Sequence, residues 1–195
     1  NTRRMQCTYG WDWVYRFVTC GIFKECYIEF EKGVCADSVY VVTESIDEFS
    51  AQISCDVSFK SYENGGDVSI EIYAPDGSLA AHDEFYTAEE HQIRYFDIDD
   101  AKLWTPMCQN IANLYEIKVF VNGRLDICEK FGIRTVKILQ LKDKEGSPAH
   151  NLCLWLKEDS ESADVYDANT EFSCFTLMIN GKKIFCKGAN WVPTE

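Results

Sequence analysis

The sequence predicts an all-β fold, an antiparallel β-sandwich built from short strands. The first observation is that apolar and polar residues alternate at period two, which is typical of strands with one buried face. In AQISCDVSFK, the side chains of Ile53, Cys55, Val57 and Phe59 point one way, and the residues between them point the other way. The second observation is that such segments recur about every 8–12 residues, with turn residues between them.

Turn signals divide the remaining alternating segments into strands. DVSIEIYAPDG alternates over 68–72 and turns at 75–77, and LYEIKVFV alternates over 115–121. Asn122-Gly123 follows that strand, and Asn180-Gly181 separates FTLMI from KKIFCKG. Asparagine and glycine tolerate the positive φ angles of a type I′ turn, so both pairs predict two-residue hairpins. The core of the sandwich is expected at about 34–137.

Helical periodicity is hard to find. Residues 87–90 form at most a turn, and the polar stretch 142–171 predicts a long loop or a decorated connection.

Composition excludes several classes of function. Of the 195 residues, 46% are hydrophobic, enough for a sizeable core. The formal charge is -13, from 19 Lys+Arg against 32 Asp+Glu, so the surface repels phosphate backbones and nucleic-acid binding is not expected. A neutral ligand such as a sugar is indifferent to this charge. No apolar run approaches the roughly 20 residues of a membrane span, so no membrane partner is expected.

Cysteine and histidine patterns give no metal, cofactor or nucleophile motif. The ten cysteines stand singly, without a CxxC pair, and are predicted to be small buried thiols in a reducing cytoplasm rather than a disulfide framework. Three histidines, at 82, 91 and 150, have no partners at metal-ligand spacing. The acidic stretch 97–104 lacks the glycine and distal glutamate of a calcium loop, so a solvated turn is predicted.

Four segments, in this order, resemble glycoside hydrolase family 2, and its β-mannosidase branch in particular. GWDWVYRFVTCGIFKECYIE (10–29) resembles the end of that family's N-terminal sugar-binding-like domain. LWTPMCQNIANLYEIKVFV (103–121) is similar to a passage of its immunoglobulin-like domain. FGIRTVKI (131–138) and FTLMINGKKIFCKGANWVP (175–193) resemble the close of that domain and the first strand of the catalytic barrel.

The resemblance implies a division into domains and a place for the chemistry. Residues 1–33 would be the remnant of a jelly-roll domain, 34–141 an immunoglobulin-like sandwich, and 142–195 a connection and the start of a (β/α)8 barrel. The family hydrolyses β-linked sugars with retention, using two glutamates on later barrel strands. This chain is therefore expected to hold no catalytic residue and to be inactive alone, and no metal or cofactor is implied.

The resemblance also assigns candidate sugar-binding residues in the GWDW loop. Asp12 would accept hydrogen bonds from sugar hydroxyls in the −1 subsite, with Trp11 or Trp13 as a stacking or wall residue. The alternative is that both tryptophans pack between domains while Asp12 pairs with Arg16.

At the other end of the chain, Asn190 and Trp191 resemble the end of the first barrel strand, beside the active site. The alternative is that both residues only pack within the barrel.

Two departures from the β-mannosidase pattern leave other functions open. Val14 and Tyr15 stand where that branch usually has glycine and proline, and cysteines fill positions more often Ser, Pro or Leu. The alternatives are a β-galactosidase or β-glucuronidase of the same family, or a stand-alone immunoglobulin-like carbohydrate-binding or adhesion module. Strands within 1–33 and 175–195 could also expose edges that favour a homodimer.

Overall fold

A computed structural model gives the architecture of most of the chain. The chain divides into two compact units, one of Glu31–Cys186 and one that combines Asn1–Phe30 with Lys187–Glu195. The residues that the structure describes are 5–13, 15–16, 18–22, 24–28, 33–106, 112–158 and 173–190.

Seven antiparallel strands of the larger unit form a sandwich of two sheets. The three-stranded sheet has the order β1-β2-β5 and the four-stranded sheet the order β4-β3-β6-β7. The predicted all-β antiparallel sandwich is therefore confirmed. Its strands are β1 (Cys35–Ile46), β2 (Ser50–Lys60), β3 (Gly66–Tyr73), β4 (Leu79–Thr87), β5 (His91–Asp99), β6 (Tyr115–Val121) and β7 (Arg124–Phe131).

The core lies between the two sheets and follows the period-two pattern. Inward side chains of both sheets join in one buried cluster, whose central members are 0–2% exposed. Aliphatic and β-branched residues suit these positions because they pack well on a pleated surface. The alternation predicted for β2, β3 and β6 is confirmed at Ile53, Cys55, Val57, Phe59, Val68, Ile70, Ile72, Tyr115, Ile117, Val119 and Val121.

Both predicted Asn-Gly hairpin turns are confirmed. Asn122 and Gly123 have φ angles of 49° and 76°, and Asn180 and Gly181 have φ angles of 49° and 73°. Successive positive φ angles are those of a type I′ turn, whose twist matches that of the flanking strands.

Each side of the sandwich carries an Arg–Asp pair. On one side, the Asp126 carboxylate of β7 accepts a hydrogen bond from the backbone N–H of Ala36 in β1, at 2.9 Å. Arg124 Nε also donates to Asp126, at 2.6 Å. On the other side, Arg94 of β5 donates to Asp83 of β4, at 2.6 Å. Strands of the two sheets are thus joined by side chains as well as by the core.

A third sheet follows the sandwich. Strands β8 (Val136–Lys142), β9 (Ser173–Ile179) and β10 (Lys182–Ile184) pair antiparallel in the order β10-β9-β8. An α-helix, α1 (Pro148–Glu158), lies between β8 and β9. No helix in the described part of the chain is long and apolar enough to cross a membrane.

Helix α1 shows that 142–171 is a decorated connection over 148–158 rather than a long loop, and that the sequence does contain a helix. Pro148 is the first helical residue, where its fixed φ suits a helix and its missing N–H costs nothing. Ser147, just before it, accepts the backbone N–H of His150 on its hydroxyl, at 3.2 Å, and thereby caps the helix. The Ser-Pro pair was the local signal, and the many charges around it concealed the helix.

Burial of the cysteines also differs from the prediction. Among the eight whose state is described, all free thiols, only Cys55 is buried. Cys20, Cys26, Cys128 and Cys186 are exposed, so the prediction of buried thiols is wrong for them. Three of these four lie outside regular strands, where alternation does not govern which way a side chain faces. Burial raises the pKa of Cys55 to about 12.

Candidate functional site

The GWDW loop begins at a short 3₁₀ turn, Gln6–Tyr9. Gly10 ends this turn, and its N–H donates to the carbonyl of Cys7 at 3.1 Å. The φ of Gly10 is 111°, a conformation that residues with a Cβ rarely adopt. Gly10 therefore gives the backbone the conformation that connects the 3₁₀ turn to Trp11. The sequence pattern did not predict this role.

Asp12 and both neighbouring tryptophans present their side chains outward in this chain. Trp11 and Trp13 are each 58% exposed, Asp12 is exposed, and Asp12 and Trp13 lie in a turn. Within the described residues no ion pair joins Asp12 to Arg16, so that part of the alternative interpretation is not observed. The three neighbouring side chains are therefore accessible at the surface of this chain.

This arrangement suits the chemistry of sugar recognition. A carboxylate accepts hydrogen bonds from vicinal hydroxyl groups, and charge makes those bonds stronger than neutral ones. An indole offers a flat apolar face to the C–H side of a pyranose. The roles assigned to Asp12, Trp11 and Trp13 remain predictions.

The second pair of candidate residues comes from the far end of the sequence. Asn190 is exposed and belongs to the same compact unit as Asp12, since Lys187–Glu195 groups with Asn1–Phe30. The fold thus brings the two predicted segments into one unit. Trp191 lies outside the described residues. The roles of Asn190 and Trp191 remain predictions.

The histidines and carboxylates of the sandwich pair locally. His82 Nε2 lies 3.3 Å from Glu84 Oε1, and His91 Nδ1 lies 3.3 Å from Asp56 Oδ1, in exposed positions. No group of three or more His, Cys, Asp or Glu side chains within the described ranges could hold a metal ion. The acidic stretch 97–104 ends β5 with exposed carboxylates and a turn at Asp100.

An open groove of about 590 Å³ runs over the four-stranded sheet. Asp67, Ser69, Glu84, Tyr86 and Phe120 are among the residues that line it. Tyr86 is 65% exposed, so its ring is available at the surface. A self-sufficient carbohydrate-binding module would need aromatic residues on the surface of the sandwich, and Tyr86 lies on this face.

Comparison with known proteins identifies the family. The family model described as "Glycosyl hydrolases family 2" matches residues 35–134, which span the sandwich. The chain belongs to this family. The predicted resemblance to family 2 is thereby confirmed.

Several family relatives are β-mannosidases. The chain is 26% identical to "Beta-mannosidase B" of Aspergillus fumigatus over 200 residues, covering 100% of this chain and 21% of that protein. "Beta-mannosidase B" of Neosartorya fischeri matches with the same identity and coverage. The chain therefore spans about a fifth of the length of the curated relatives it matches.

Solved structures agree at the level of the fold. The crystal structure of beta-D-mannosidase from Dictyoglomus thermophilum matches with a TM-score of 0.72 and 26% identity, covering 98% of this chain and 21% of that one. A Parabacteroides merdae beta-glucuronidase matches with a TM-score of 0.52 and 15% identity, covering 80% and 16%. At that identity, the second match supports the fold alone.

Proposed function

We propose that this chain is the β-sandwich portion, with flanking segments, of a retaining glycoside hydrolase that removes terminal β-linked sugars and is β-mannosidase-like. One observation carries the proposal. The match to a solved β-mannosidase covers 98% of the chain and so includes the GWDW loop and the third sheet as well as the family-matched sandwich. Hydrolysis is assigned to a longer protein that contains this chain, and the substrate is a carbohydrate.

Within that longer protein, we assign the chain a supporting role. The sandwich would be a spacer between a jelly-roll domain that includes 1–33 and a barrel whose start lies in 142–195. Asp12 would bind hydroxyls of the sugar in the −1 subsite, with Trp11 or Trp13 against its ring and Asn190 and Trp191 nearby. A cytoplasmic location and a homodimer through strand edges stay predictions.

Hydrolysis of a panel of aryl β-glycosides tests the proposal. The panel contains the mannoside, galactoside, glucuronide and glucoside, each assayed with this chain and with the gene product extended in both directions. The expected result is cleavage of the β-mannoside by the extended protein and no cleavage by this chain. Preferential cleavage of the galactoside or glucuronide would replace the β-mannosidase assignment with another activity of the family.

Substitution of Asp12 tests the assigned sugar contact. In the extended protein, Asp12→Asn should lower kcat/KM about 10- to 100-fold, because a hydrogen bond to a charged group contributes about 1.5–3 kcal/mol. Glu129→Gln is the matched control, since it neutralises an exposed carboxylate of β7 that belongs to the sandwich and not to the unit that contains the loop. Equal kcat/KM values for Asp12→Asn, Glu129→Gln and the unsubstituted protein would remove Asp12 from the site.

The groove over the four-stranded sheet favours one second candidate, a non-catalytic carbohydrate-binding module. Its test is titration of this chain with β-linked manno-oligosaccharides, with binding detected by the change in tryptophan and tyrosine fluorescence. Under the main proposal, Tyr86→Ala leaves any binding unchanged. If the extended protein cleaves no glycoside and Tyr86→Ala abolishes binding by this chain, the module becomes the better assignment.

A further inference from the structure

Three segments that carried the family resemblance meet at one place in the larger unit. Trp104 belongs to LWTP, residues 132–135 to FGIRT, and Asn180 to the turn between β9 and β10. They lie between the sandwich and the third sheet. We call Trp104, residues 132–135 and Asn180 the junction.

Trp104 is bonded through both of its backbone groups at the junction. Its N–H donates to the carbonyl of Ile133 at 2.9 Å. Its carbonyl accepts a hydrogen bond from Asn180 Nδ2, also at 2.9 Å. The same residue is therefore held by the segment that leaves β7 and by the hairpin of the third sheet.

The side chain of Trp104 is enclosed from two directions. The guanidinium carbon of Arg134 lies 5.0 Å from the centre of the indole ring, within the range of a cation–π contact. A Cβ placed on Gly132 would lie 2.6 Å from the Trp104 Cβ, closer than real atoms approach. The absence of a side chain at Gly132 thus allows the Trp104 side chain to pack directly against the backbone.

The loop that carries Trp104 is fixed to the sandwich core. The backbone N–H of Lys102 donates to the hydroxyl of Tyr115 at 2.8 Å, and Tyr115 is 1% exposed. Asn113 Nδ2 donates to the carbonyl of Leu103 at 3.0 Å. These bonds attach the loop of Trp104 to the sandwich, so a hydrogen bond to Trp104 also connects its partner to the sandwich.

Comparison of the two Asn-Gly turns isolates the role of one amide group. Asn122 exchanges two hydrogen bonds with Asp67, from its N–H to a carbonyl at 2.8 Å and from a backbone N–H to its Oδ1 at 3.0 Å. Asn180 makes the same pair with Thr135, at 3.0 and 2.9 Å. Asn180 adds the bond from Nδ2 to Trp104, which leaves its own sheet and reaches the sandwich.

We propose that Asn180 is a positioning residue that docks the β8–β9–β10 sheet on the sandwich through its Nδ2 bond to the Trp104 carbonyl. The type I′ turn alone does not require asparagine at position 180, since aspartate or glycine would also form that turn. The amide donor is the part that asparagine alone supplies, because a carboxylate can only accept hydrogen bonds when ionised. This proposal goes beyond the proposed function and does not depend on which sugar is bound.

The test is amide hydrogen exchange at neutral pH on this chain, read by mass spectrometry peptide by peptide. Asn180→Asp keeps the turn and the Oδ1 acceptor, and replaces the Nδ2 donor with a charged oxygen that faces the Trp104 carbonyl. We expect exchange in β8 and β9 to become about five- to tenfold faster, the factor that corresponds to one lost hydrogen bond. Exchange in β3 and β6 should stay unchanged.

Asn122→Asp is the matched control, because it makes the same chemical change in a turn whose side-chain bond stays within one sheet. It should leave exchange in β8 and β9 unchanged. Asn180→Gly is the second variant, since glycine accepts the positive φ and removes the whole side chain. It should accelerate β8 and β9 at least as much as Asn180→Asp does.

Three results would overturn the proposal. The first is unchanged exchange in β8 and β9 with both Asn180 variants. The second is acceleration that extends equally to β3 and β6, because that would indicate general destabilisation rather than loss of docking. The third is the same acceleration with Asn122→Asp.

Discussion

The sandwich and the third sheet use similar strands with opposite results. Both are rich in valine, isoleucine, leucine and phenylalanine, yet inward residues of the sandwich such as Ile70 and Ile117 are 0% exposed. In the third sheet, Ile138 is 58% and Phe175 is 70% exposed. The difference arises because the two sheets of the sandwich cover each other, whereas the described residues provide no such layer over the third sheet.

The difference in burial indicates which part of the chain contributes most to its folding stability. Burial of apolar area stabilises by about 25 cal/mol per Å², so the sandwich has a large driving force of its own. The third sheet has much less of that force within this chain. Its position therefore depends to a greater degree on the specific bonds of the junction.

The largest expected effect separates the two regions directly. Ile117→Ala should lower the free energy of unfolding by about 2–5 kcal/mol, because it leaves a cavity in a closed core. Ile138→Ala removes the same atoms from an exposed position and should change it by less than about 0.5 kcal/mol. Urea unfolding of both variants measures the difference, and equal losses would contradict the contrast.

A smaller effect is expected at the pair that joins β1 to β7. Asp126→Ala should cost roughly 2–3 kcal/mol, because the side chain of Asp126 is only 6% exposed and its loss leaves the Ala36 N–H without its acceptor. Asp37→Ala is the control, since it removes a carboxylate from an exposed ion pair with Lys60. Such surface pairs contribute about 0–1 kcal/mol. Similar urea midpoints for the two variants would show that the Asp126 contact is dispensable.

Gly132→Ala tests how closely the Trp104 side chain packs against the backbone at the junction. The added methyl group would meet the Trp104 side chain, so we expect a cost of about 1–2 kcal/mol, typical of mild overpacking. Gly188→Ala is the control, because in the described part of the chain no atom other than those of its sequence neighbours lies within 4 Å of a Cβ at that position. Thermal unfolding followed by circular dichroism compares them. A Gly132→Ala variant as stable as Gly188→Ala would mean that the indole is not held against the backbone.

The smallest effect concerns pH. Backbone N–H groups of Phe49 and Ser50 donate to the Asp47 carboxylate and hold its pKa below the ordinary value of 3.8. Because the folded pKa is the lower one, the contribution of Asp47 to stability is full above its unfolded pKa and is lost as pH falls through the folded pKa. The urea midpoint of Asp47→Ala should approach that of the unsubstituted chain under acidic conditions. A difference independent of pH would contradict this account.

Local patterns were sufficient to predict the sandwich. Alternation placed Ile53 and Val119 in the core, and the Asn-Gly pairs predicted two turns with the correct φ angles. These features could be predicted because each depends on a few neighbouring residues. A strand with a wrong register would expose all of its apolar side chains at once, so the pattern leaves little choice.

Features that depend on distant pairings could not be predicted in the same way. The bond from Asn180 to Trp104 joins residues 76 positions apart, and alternation carries no information about it. Cys128 lies on the outer face of β7, which packs against no core within the described residues, so the residue type there does not indicate whether its side chain is buried. For the candidate site, the motif supplied Asp12 and its tryptophans, but only the fold placed Asn190 in the same unit.

Cys55 gives the chain a built-in reporter of its own opening. Its thiol is 0% exposed and its raised pKa keeps it protonated, whereas Cys128 and Cys186 lie at the surface. An alkylating reagent should therefore modify the surface thiols first, and Cys55 only when the sandwich opens. The labelling rate of Cys55 itself would then report how often the sandwich opens, without a dye or an introduced probe.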